Sequence, residues 1–125
     1  MQTTFPRLLL DHAKQRPAAA ALREKEYGIW QTTSWSALAV LVRHLACGFA
    51  AAGLQRGQHV VVVGDNRPRL YACMLAVRVL GAVPIPLYQD AASTECVFPI
   101  NISKFNFRLL STWLLQSNCP AKIEL

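Results

Sequence analysis

The fold is decided by residues 60–87, which read VVVVGDNRPRLYACMLAVRVLGAVPIPL. The four consecutive valines predict a strand that is covered on both faces, as in a parallel sheet. After a turn at Gly64-Asp65-Asn66, a helix is predicted from Arg67 to Leu80, where Gly81 ends it, and Ala82–Leu87 returns as a second strand. Strand, helix and strand at this spacing predict a βαβ unit and therefore an α/β fold.

Prolines and turn residues add detail to this unit. Pro84 and Pro86 have no N–H to donate to a sheet, so the second strand is predicted to lie near an edge or to end early. Either Asp65 or Asn66 is predicted to cap the helix that follows. A phosphate-binding turn is the alternative at this position. A dinucleotide fingerprint needs three spaced glycines, however, and only Gly64 is present.

The residues that precede this unit predict two helices and a hairpin. A short helix begins after Thr4, whose hydroxyl is predicted to accept a hydrogen bond from the first turn, and Pro17 stops it. Two strands, Ala19–Glu24 and Ile29–Thr33, are joined around Tyr27-Gly28 as a β-hairpin. Ser34 then caps a helix that runs from Trp35 to about Ala52 with one apolar stripe, and Gly53 ends it. The predicted order is therefore helix, hairpin, long helix and βαβ unit.

Composition excludes several functional classes for these 125 residues. The net charge of +6 is compatible with nucleic-acid binding, but the arginines are scattered and form no run. No nucleic-acid partner is therefore expected. The four cysteines contain no CxxC pair, and no secretory signal precedes them, so reduced thiols in a cytoplasmic protein are expected. No stretch reaches the ~20 apolar residues of a membrane span, so no transmembrane segment is expected.

The character of the sequence changes after Glu95. All 6 glycines lie before that point, whereas three of the four asparagines lie after it. No helix or strand pattern persists beyond it, apart from a turn or two from Leu109 to Leu115. We interpret residues 1–95 as a partial N-terminal segment of a domain and residues 96–125 as an unrelated tail from a changed reading frame or a joined segment. A genuine variable terminus is the alternative.

Several single residues could be metal ligands, catalytic groups or ligand contacts, but a structural role is preferred for each. The histidines have no ligand-like spacing with the cysteines, so they are read as surface or half-buried residues. Cys73 lies within a predicted helix and has no adjacent base, so a catalytic thiol is not expected. Trp30 and Trp35 could form a ligand platform, but packing of the hairpin on the helix also explains them. No residue is assigned as catalytic, cofactor-binding or metal-ligating.

Three strings carry a resemblance to a known family. Residues 25–31 (KEYGIWQ), followed by Ser34-Trp35, resemble the N-terminal hairpin and helix start of bacterial long-chain fatty acyl-CoA synthetases. Residues 64–68 (GDNRP) resemble that family's first strand-to-helix turn, and residues 80–90 (LGAVPIPLYQD) resemble the segment that follows. Glu95 stands where the family's next helix usually begins. The match spans nearly all of residues 4–95, so the chain is similar to an N-terminal fragment of an AMP-binding (adenylate-forming) long-chain fatty acyl-CoA synthetase.

The resemblance implies a reaction that this chain cannot complete. The family joins a fatty acid to AMP from ATP with release of pyrophosphate, and coenzyme A then displaces AMP. It uses a Ser/Thr/Gly-rich phosphate loop, an acidic residue for Mg²⁺ and a lysine on a mobile C-terminal domain. None of these can be placed here, since Thr32-Thr33-Ser34 lacks flanking glycines and a following lysine. The fragment is therefore expected to bind no cofactor and to be inactive alone, and ATP, Mg²⁺ and coenzyme A are implied only for the full-length family.

Two other functions stay open. The chain could be one subunit of a split acyl-CoA ligase whose partner is the remainder of the enzyme. It could also be a small binding or regulatory module that docks, or self-associates, through an exposed strand edge. The strand at Val60–Val63 is predicted to have an open hydrogen-bonding edge and uncovered valine faces. We therefore expect the isolated chain to be poorly stable or to need a partner.

Overall fold

The computed structural model describes residues 4–87 and 105–108, the latter by backbone alone. The described elements, in chain order, are α1 (Phe5–Gln15), β1 (Ala20–Glu26), β2 (Ile29–Ser34), α2 (Trp35–Ala51), β3 (His59–Val63), α3 (Pro68–Val79), β4 (Val83–Leu87) and β5 (Phe105–Arg108). The predicted α/β fold is confirmed, with element bounds within two residues of those predicted from residues 4–87. The turn at Leu109–Leu115, the match at residues 88–90 and the helix start at Glu95 lie outside the described residues.

The strands form two separate sheets. The hairpin β1–β2 is antiparallel, whereas the second sheet has the order β4-β3-β5 with both pairs parallel. Strand β4 lies at the edge of that sheet, as its two prolines predict. The hairpin turns at Tyr27, with φ 48°, and Gly28, with φ 82°. Two successive positive φ values give the turn a twist that matches the flanking strands.

Strand β5 corrects two predictions. The loss of pattern after Glu95 predicts no strand there, yet Phe105–Arg108 pairs with β3, with Val60 opposite Phe105. The predicted open edge at Val60–Val63 is therefore wrong, because β3 has a neighbouring strand on each side. Its valine faces are covered as well, since Val60, Val61 and Val62 are all buried. We expected the isolated chain to be poorly stable because β3 would have an open edge and uncovered valines. Neither feature is present at β3.

The helix starts confirm one predicted cap and correct two. The hydroxyl of Ser34 accepts a hydrogen bond from the N–H of Ala37 at 3.2 Å, which confirms the cap of α2. Thr4 occupies the cap position of α1, but its side chain makes no capping bond. Its backbone carbonyl instead accepts from the N–H of Leu8 at 3.0 Å. The predicted side-chain capping bond from Thr4 is therefore wrong.

The start of α3 explains the second correction. Pro68 is the first helical residue, and the residue before a proline is driven towards extended backbone. Arg67 accordingly has φ −122° and ψ 160° and takes the cap position without a side-chain bond. Asn66 lies one residue too early to cap the helix, and Asp65 lies two residues too early. The proline that starts the helix therefore also decides where its cap falls.

Both long helices end in the same way. After α2, the N–H of Gly53 donates to the carbonyl of Ala50 and the N–H of Leu54 donates to the carbonyl of Phe49, each at 3.0 Å. After α3, Gly81 and Ala82 make the equivalent bonds to Arg78 and Val77. These paired bonds form Schellman motifs, in which the glycine supplies the left-handed backbone and the next residue packs on the last turn. Leu54 and Ala82 are both buried. Each motif ends its helix and reverses the chain towards the strand that follows.

The core lies between the two helices and one face of the parallel sheet. α2 packs against α3, and Val60 and Val62 of β3 belong to the same apolar cluster as both helices. Four residues of α3 are buried, namely Ala72, Cys73, Ala76 and Val77, and the first three have small side chains. Small side chains let the helix approach its neighbours closely. In residues 4–87, no polar or charged side chain is classed as buried, so the core depends on apolar packing alone.

Cys73 provides a test of that apolar core. Burial raises the pKa of its thiol to about 12, against a small opposing effect of Arg69. We expect Cys73 to react with a thiol reagent on the order of 100-fold more slowly than the exposed Cys47, because the thiolate is the reactive form. The measurement compares two full-length variants at pH 8, each keeping one of these two cysteines and carrying serine at the other cysteine positions. Equal labelling rates would show that α3 is not packed as described.

The same pKa shift predicts how stability depends on pH. Between the ordinary thiol pKa of 9.0 and the raised value of about 12, the unfolded chain loses its proton while the folded chain keeps it. The folded state then binds more protons, so the free energy of unfolding falls as pH rises through this window. Urea unfolding at pH 8 and pH 10.5 measures the change, and a Cys73→Ala variant supplies the control. The control should show a smaller decrease than the parent chain.

Candidate functional site

The candidate site lies at the carboxyl ends of β3 and β4. In α/β sheets, ligands bind in the crevice beyond this end of the strands. Here the crevice has a volume of about 240 Å³. It is lined by Gly64, Asn66, Leu70, Tyr71, Met74, Pro86 and Leu87. Among the described residues, this lining contains no cation and no carboxylate.

Arg67 follows β3 at this end of the sheet, and its guanidinium is paired with the hairpin. Its Nη1 atom lies 3.4 Å from Oε1 of Glu26 and 3.9 Å from Oε2 of Glu24. The two glutamates are two residues apart on β1, so their side chains point to the same face of the hairpin. The guanidinium therefore joins the hairpin to the start of α3. A phosphate at this position would have to compete with two carboxylates for one arginine.

Asn66 is engaged as well. Its Oδ1 atom accepts a hydrogen bond from the hydroxyl of Tyr71, one turn into α3. This bond holds the loop after β3 against the first turn of the helix. It also occupies the amide oxygen that would otherwise be available at the mouth of the crevice. Together with Arg67, it gives the Gly64-Asp65-Asn66 loop a structural explanation.

A larger apolar groove of about 450 Å³ lies between α1, the hairpin and α3. One end is formed by His12 and Trp35, whose ring centroids are 4.6 Å apart. The guanidinium of Arg16 lies 5.5 Å from the Trp35 ring centroid and 3.2 Å from Nδ1 of His12. Trp35 is half-buried and packs against the core, as predicted. Through these contacts, α1 packs against the start of α2.

Trp30 corrects the paired prediction for the two tryptophans. It is 65% exposed, because it lies next to the hairpin turn, whose tip projects into solvent. Packing of the hairpin on the helix therefore explains Trp35 but not Trp30. The three histidines are exposed or half-buried, as predicted. Within residues 4–87 and 105–108, there is no group of three or more His, Cys, Asp or Glu side chains that could hold a metal ion.

Sequence reasoning missed the pairing of Arg67 with the hairpin. The signal in the sequence is the alternation of Glu24 and Glu26 along one strand, which places two carboxylates on one face. The partner could not be predicted, because Arg67 lies 41 residues beyond Glu26 and the two meet only when the hairpin docks. Together with Asn66–Tyr71, this contact organises the loop that follows β3. The described contacts join the loop after β3 to the hairpin and to the first turn of α3.

Replacing Arg67 with methionine tests this contact. We expect the free energy of unfolding to fall by less than about 1 kcal/mol, because all three side chains are partly exposed and the pair is screened. The difference between parent and variant should shrink further in 1 M salt, where the Debye length is about 3 Å. Arg43→Met, at an exposed position of α2, is the matched control. A salt-independent loss would contradict the ionic interpretation.

The helices also bear on membrane association. None of the helices among the described residues has the length and apolar character required to cross a bilayer.

Comparisons with known proteins give one consistent result. A family model described as "AMP-binding enzyme" matches residues 9–123. The chain is 34% identical over 77 residues to the fatty acid–[acyl-carrier-protein] ligase MmaC of Mycobacterium marinum, a match that covers 62% of this chain and 14% of the relative. It is 23% identical over 88 residues to the long-chain-fatty-acid–CoA ligase FadD15 of Mycobacterium bovis, covering 70% of this chain and 15% of the relative.

Solved structures agree on the fold. NpsA of Klebsiella oxytoca superposes with a TM-score of 0.78 at 19% identity, covering 86% of this chain and 22% of that chain. At this identity the likeness shows the fold alone. The chain spans 14% and 15% of the length of the two curated relatives.

Proposed function

Because the chain belongs to the family of AMP-binding enzymes, we propose that it is the N-terminal scaffold of a ligase that activates fatty acids. In the proposed reaction, a fatty acid carboxylate attacks the α-phosphate of ATP and releases pyrophosphate, and a thiol acceptor then displaces AMP from the acyl-adenylate. The fatty acid substrate is supported by the names of the two curated relatives, one an acyl-carrier-protein ligase and the other a CoA ligase. Coenzyme A and the phosphopantetheine thiol of a carrier protein are therefore both candidate acceptors.

The role proposed for this segment is structural. In-line attack on a phosphate needs several positioned cations and donors. The observation that carries the proposal lies at the carboxyl end of the sheet, where Arg67 is paired with two glutamates and Asn66 is bonded to Tyr71. These contacts support a structural role for the loop after β3, and we assign no step of the reaction to the described residues. The phosphate loop, the metal-binding acid and the lysine would come from the rest of the domain.

The ligase could be split, with this chain as one of its subunits. In that arrangement, a second polypeptide supplies the remainder of the domain, and this chain contributes α1, the hairpin and the first parallel strands. Alone, the chain would be inactive. The docking module stays as the second candidate, because the parallel sheet still has two outer edges among the described strands.

The separate origin of residues 96–125 by a change of reading frame stays a prediction. Sequencing of the coding DNA across codons 90–100 tests it.

The proposal is tested by fatty-acid-dependent exchange of pyrophosphate into ATP. The probe is MmaC from which the 77-residue segment that matches this chain has been deleted. The full chain alone and the deleted ligase alone should both give background exchange, whereas the mixture should give exchange above background. A Val62→Asp chain, in which a charge is placed in the core, serves as the control and should not restore activity. Exchange by the chain alone, or none by the mixture, would contradict the proposal.

A further inference from the structure

The apolar groove between α1, the hairpin and α3 runs along one face of each helix. On α1, Phe5, Leu8 and His12 are spaced by three and four residues, so their side chains share a face. The lining residues of α3 share a face in the same way; they are Tyr71, Met74, Leu75 and Arg78. From Phe5 to His12 the groove extends for about 10 Å, because a helix rises about 1.5 Å per residue. Phe5 and Leu8 stay exposed, so the groove is open to solvent.

One end of the groove carries a guanidinium. Arg78 is the only arginine or lysine among the lining residues that the structure describes. Its guanidinium carbon lies 5.0 Å from the centroid of the Phe5 ring, so a cation–π contact holds it at the end of the groove. Arg78 is exposed and, within residues 4–87, makes no ion pair with a carboxylate, in contrast to Arg67. Its positive charge is therefore accessible to an anion from solution.

The opposite end of the groove differs, because the arginine near it is engaged. Arg16 does not belong to the lining, and its Nη2 atom donates to Nδ1 of His12. Its guanidinium also lies over the ring of Trp35. Between the two ends, the lining consists of leucine, alanine, methionine and tyrosine side chains. The groove thus combines one cationic end with an apolar length.

A second apolar groove, of about 400 Å³ between α1, α2 and the end of α3, allows a comparison within the same chain. It also contains one arginine, Arg43, but none of its lining residues among those described is aromatic. Within residues 4–87, the Arg43 side chain makes no hydrogen bond, ion pair or ring contact. A ligand would therefore have to order this long side chain at a cost in entropy. Of the two grooves, the one with Arg78 has the positioned cation.

We propose that the groove between α1 and α3 binds a long-chain carboxylate, with its carboxylate on Arg78 and its alkyl chain along the apolar faces of the two helices. A guanidinium matches a carboxylate through two parallel hydrogen bonds. A single cation neutralises a carboxylate but only part of a phosphate monoester, whose charge is about −1.5 to −2 at neutral pH. The groove volume of about 450 Å³ lies in the range of small-molecule sites. Because binding here needs no step of the ligase reaction, it is expected of the chain alone.

The head group is tested on the full chain with octanoate and with 1-octanol, which has the same chain length and no charge. NMR follows the methyl group of Met74 and the indole N–H of Trp35, since both residues line the groove. We expect both ligands to shift these signals saturably. Arg78→Met should bind octanoate about fivefold more weakly than the parent chain and should bind octanol as the parent does. Equal octanoate affinity of parent and variant, or no saturable shift with octanoate, would overturn the proposal.

Two controls separate the head-group contact from general charge effects. Arg43→Met removes the same charge from the second groove and should bind octanoate as the parent chain does. If Arg43→Met and Arg78→Met weakened octanoate binding equally, the effect would come from net charge, and the proposed contact would be wrong. Octyl phosphate is the third ligand and should bind no more tightly than octanoate. Tighter binding of octyl phosphate would overturn the choice of a carboxylate.

The alkyl chain is tested by filling the groove. In Leu8→Trp, a larger ring occupies a position that is 39% exposed, so the added atoms enter the groove and not the core. We expect this variant to bind octanoate and octanol on the order of tenfold or more weakly than the parent chain. Leu10→Trp is the matched control, because Leu10 lies on the same helix, is exposed and lines the second groove.

Leu10→Trp should bind both ligands as the parent chain does. Unchanged octanoate binding by Leu8→Trp, or an equal loss in the two tryptophan variants, would show that the alkyl chain does not lie between α1 and α3. None of these measurements involves exchange of pyrophosphate into ATP. A negative result here would therefore leave the proposed function intact.

Discussion

Replacing Phe49 with alanine is expected to lower the free energy of unfolding by about 3–5 kcal/mol. Phe49 is 1% exposed and lies in the last full turn of α2, where it belongs to the cluster that also contains Val60, Val62 and Val77. Removing the ring leaves a cavity between the helices and the sheet, and the packed surroundings can close it only in part. Small domains have a total stability of about 5–15 kcal/mol, so a loss of this size is a large fraction of the whole.

The measurement is urea unfolding of the full chain followed by circular dichroism. Val40→Ala is the matched control, because Val40 lies on the same helix and is 51% exposed. It should change the free energy of unfolding by no more than about 0.5 kcal/mol. If Phe49→Ala and Val40→Ala had the same effect, α2 would not pack its Phe49 face on the sheet, and the described core would be wrong.

The second large effect is expected from Ala76→Leu. Ala76 is fully buried in α3, as are Ala72 and Val77, and leucine adds three carbon atoms at a position with no exposed surface. Overpacking of this kind costs about 1–3 kcal/mol, because side chains or backbone must move to accommodate the added atoms. Helix propensity cannot account for a loss on this scale, since alanine and leucine are both good helix formers.

Ala37→Leu supplies the control for Ala76→Leu. Ala37 lies in the first turn of α2 and is exposed, so the added atoms extend into solvent. Its effect on the free energy of unfolding should lie within about 0.5 kcal/mol of zero. A neutral Ala76→Leu variant would indicate free space beside α3, and the close approach of the helix would then be wrong.

Most elements in residues 4–87 could be predicted because their signals are local. Ser34 caps α2 within its own turn, and Gly53 and Gly81 end their helices through bonds that span only a few residues. The two prolines of β4 place it at an edge whatever lies beside it. In each case the deciding interaction is short in sequence, so the pattern of residues carries it.

The features that were missed depend on distant parts of the chain or on competition between neighbours. β5 is a short strand that includes Asn106, and it is defined by pairing with β3, more than 40 residues earlier. The ion pairs of Arg67 form only when the hairpin docks on α3. The cap of α3 was misplaced because Pro68 excludes a helical backbone at Arg67, which moved the helix start past Asn66. None of these results follows from a single local pattern.

The assignment of no catalytic residue to this chain stays a prediction. At the carboxyl end of the sheet, the guanidinium of Arg67 is paired with Glu24 and Glu26, and the amide oxygen of Asn66 accepts from the hydroxyl of Tyr71. Their partners stabilise the loop after β3 and the junction with the hairpin. Chemistry at this end of the sheet would therefore need groups from other parts of the domain.

The scaffold role that we propose for this chain predicts that the loop after β3 does not bind the nucleotide. Titration of the full chain with Mg-ATP, with the backbone amides of Gly64, Asp65, Asn66 and Arg67 followed by NMR, measures this directly. We expect no saturable change in these signals at millimolar nucleotide, and the same result for the Arg67→Met variant. A saturable shift at these amides that is lost when Arg67 is replaced would show that the loop after β3 binds the nucleotide itself, and the scaffold role would then be wrong.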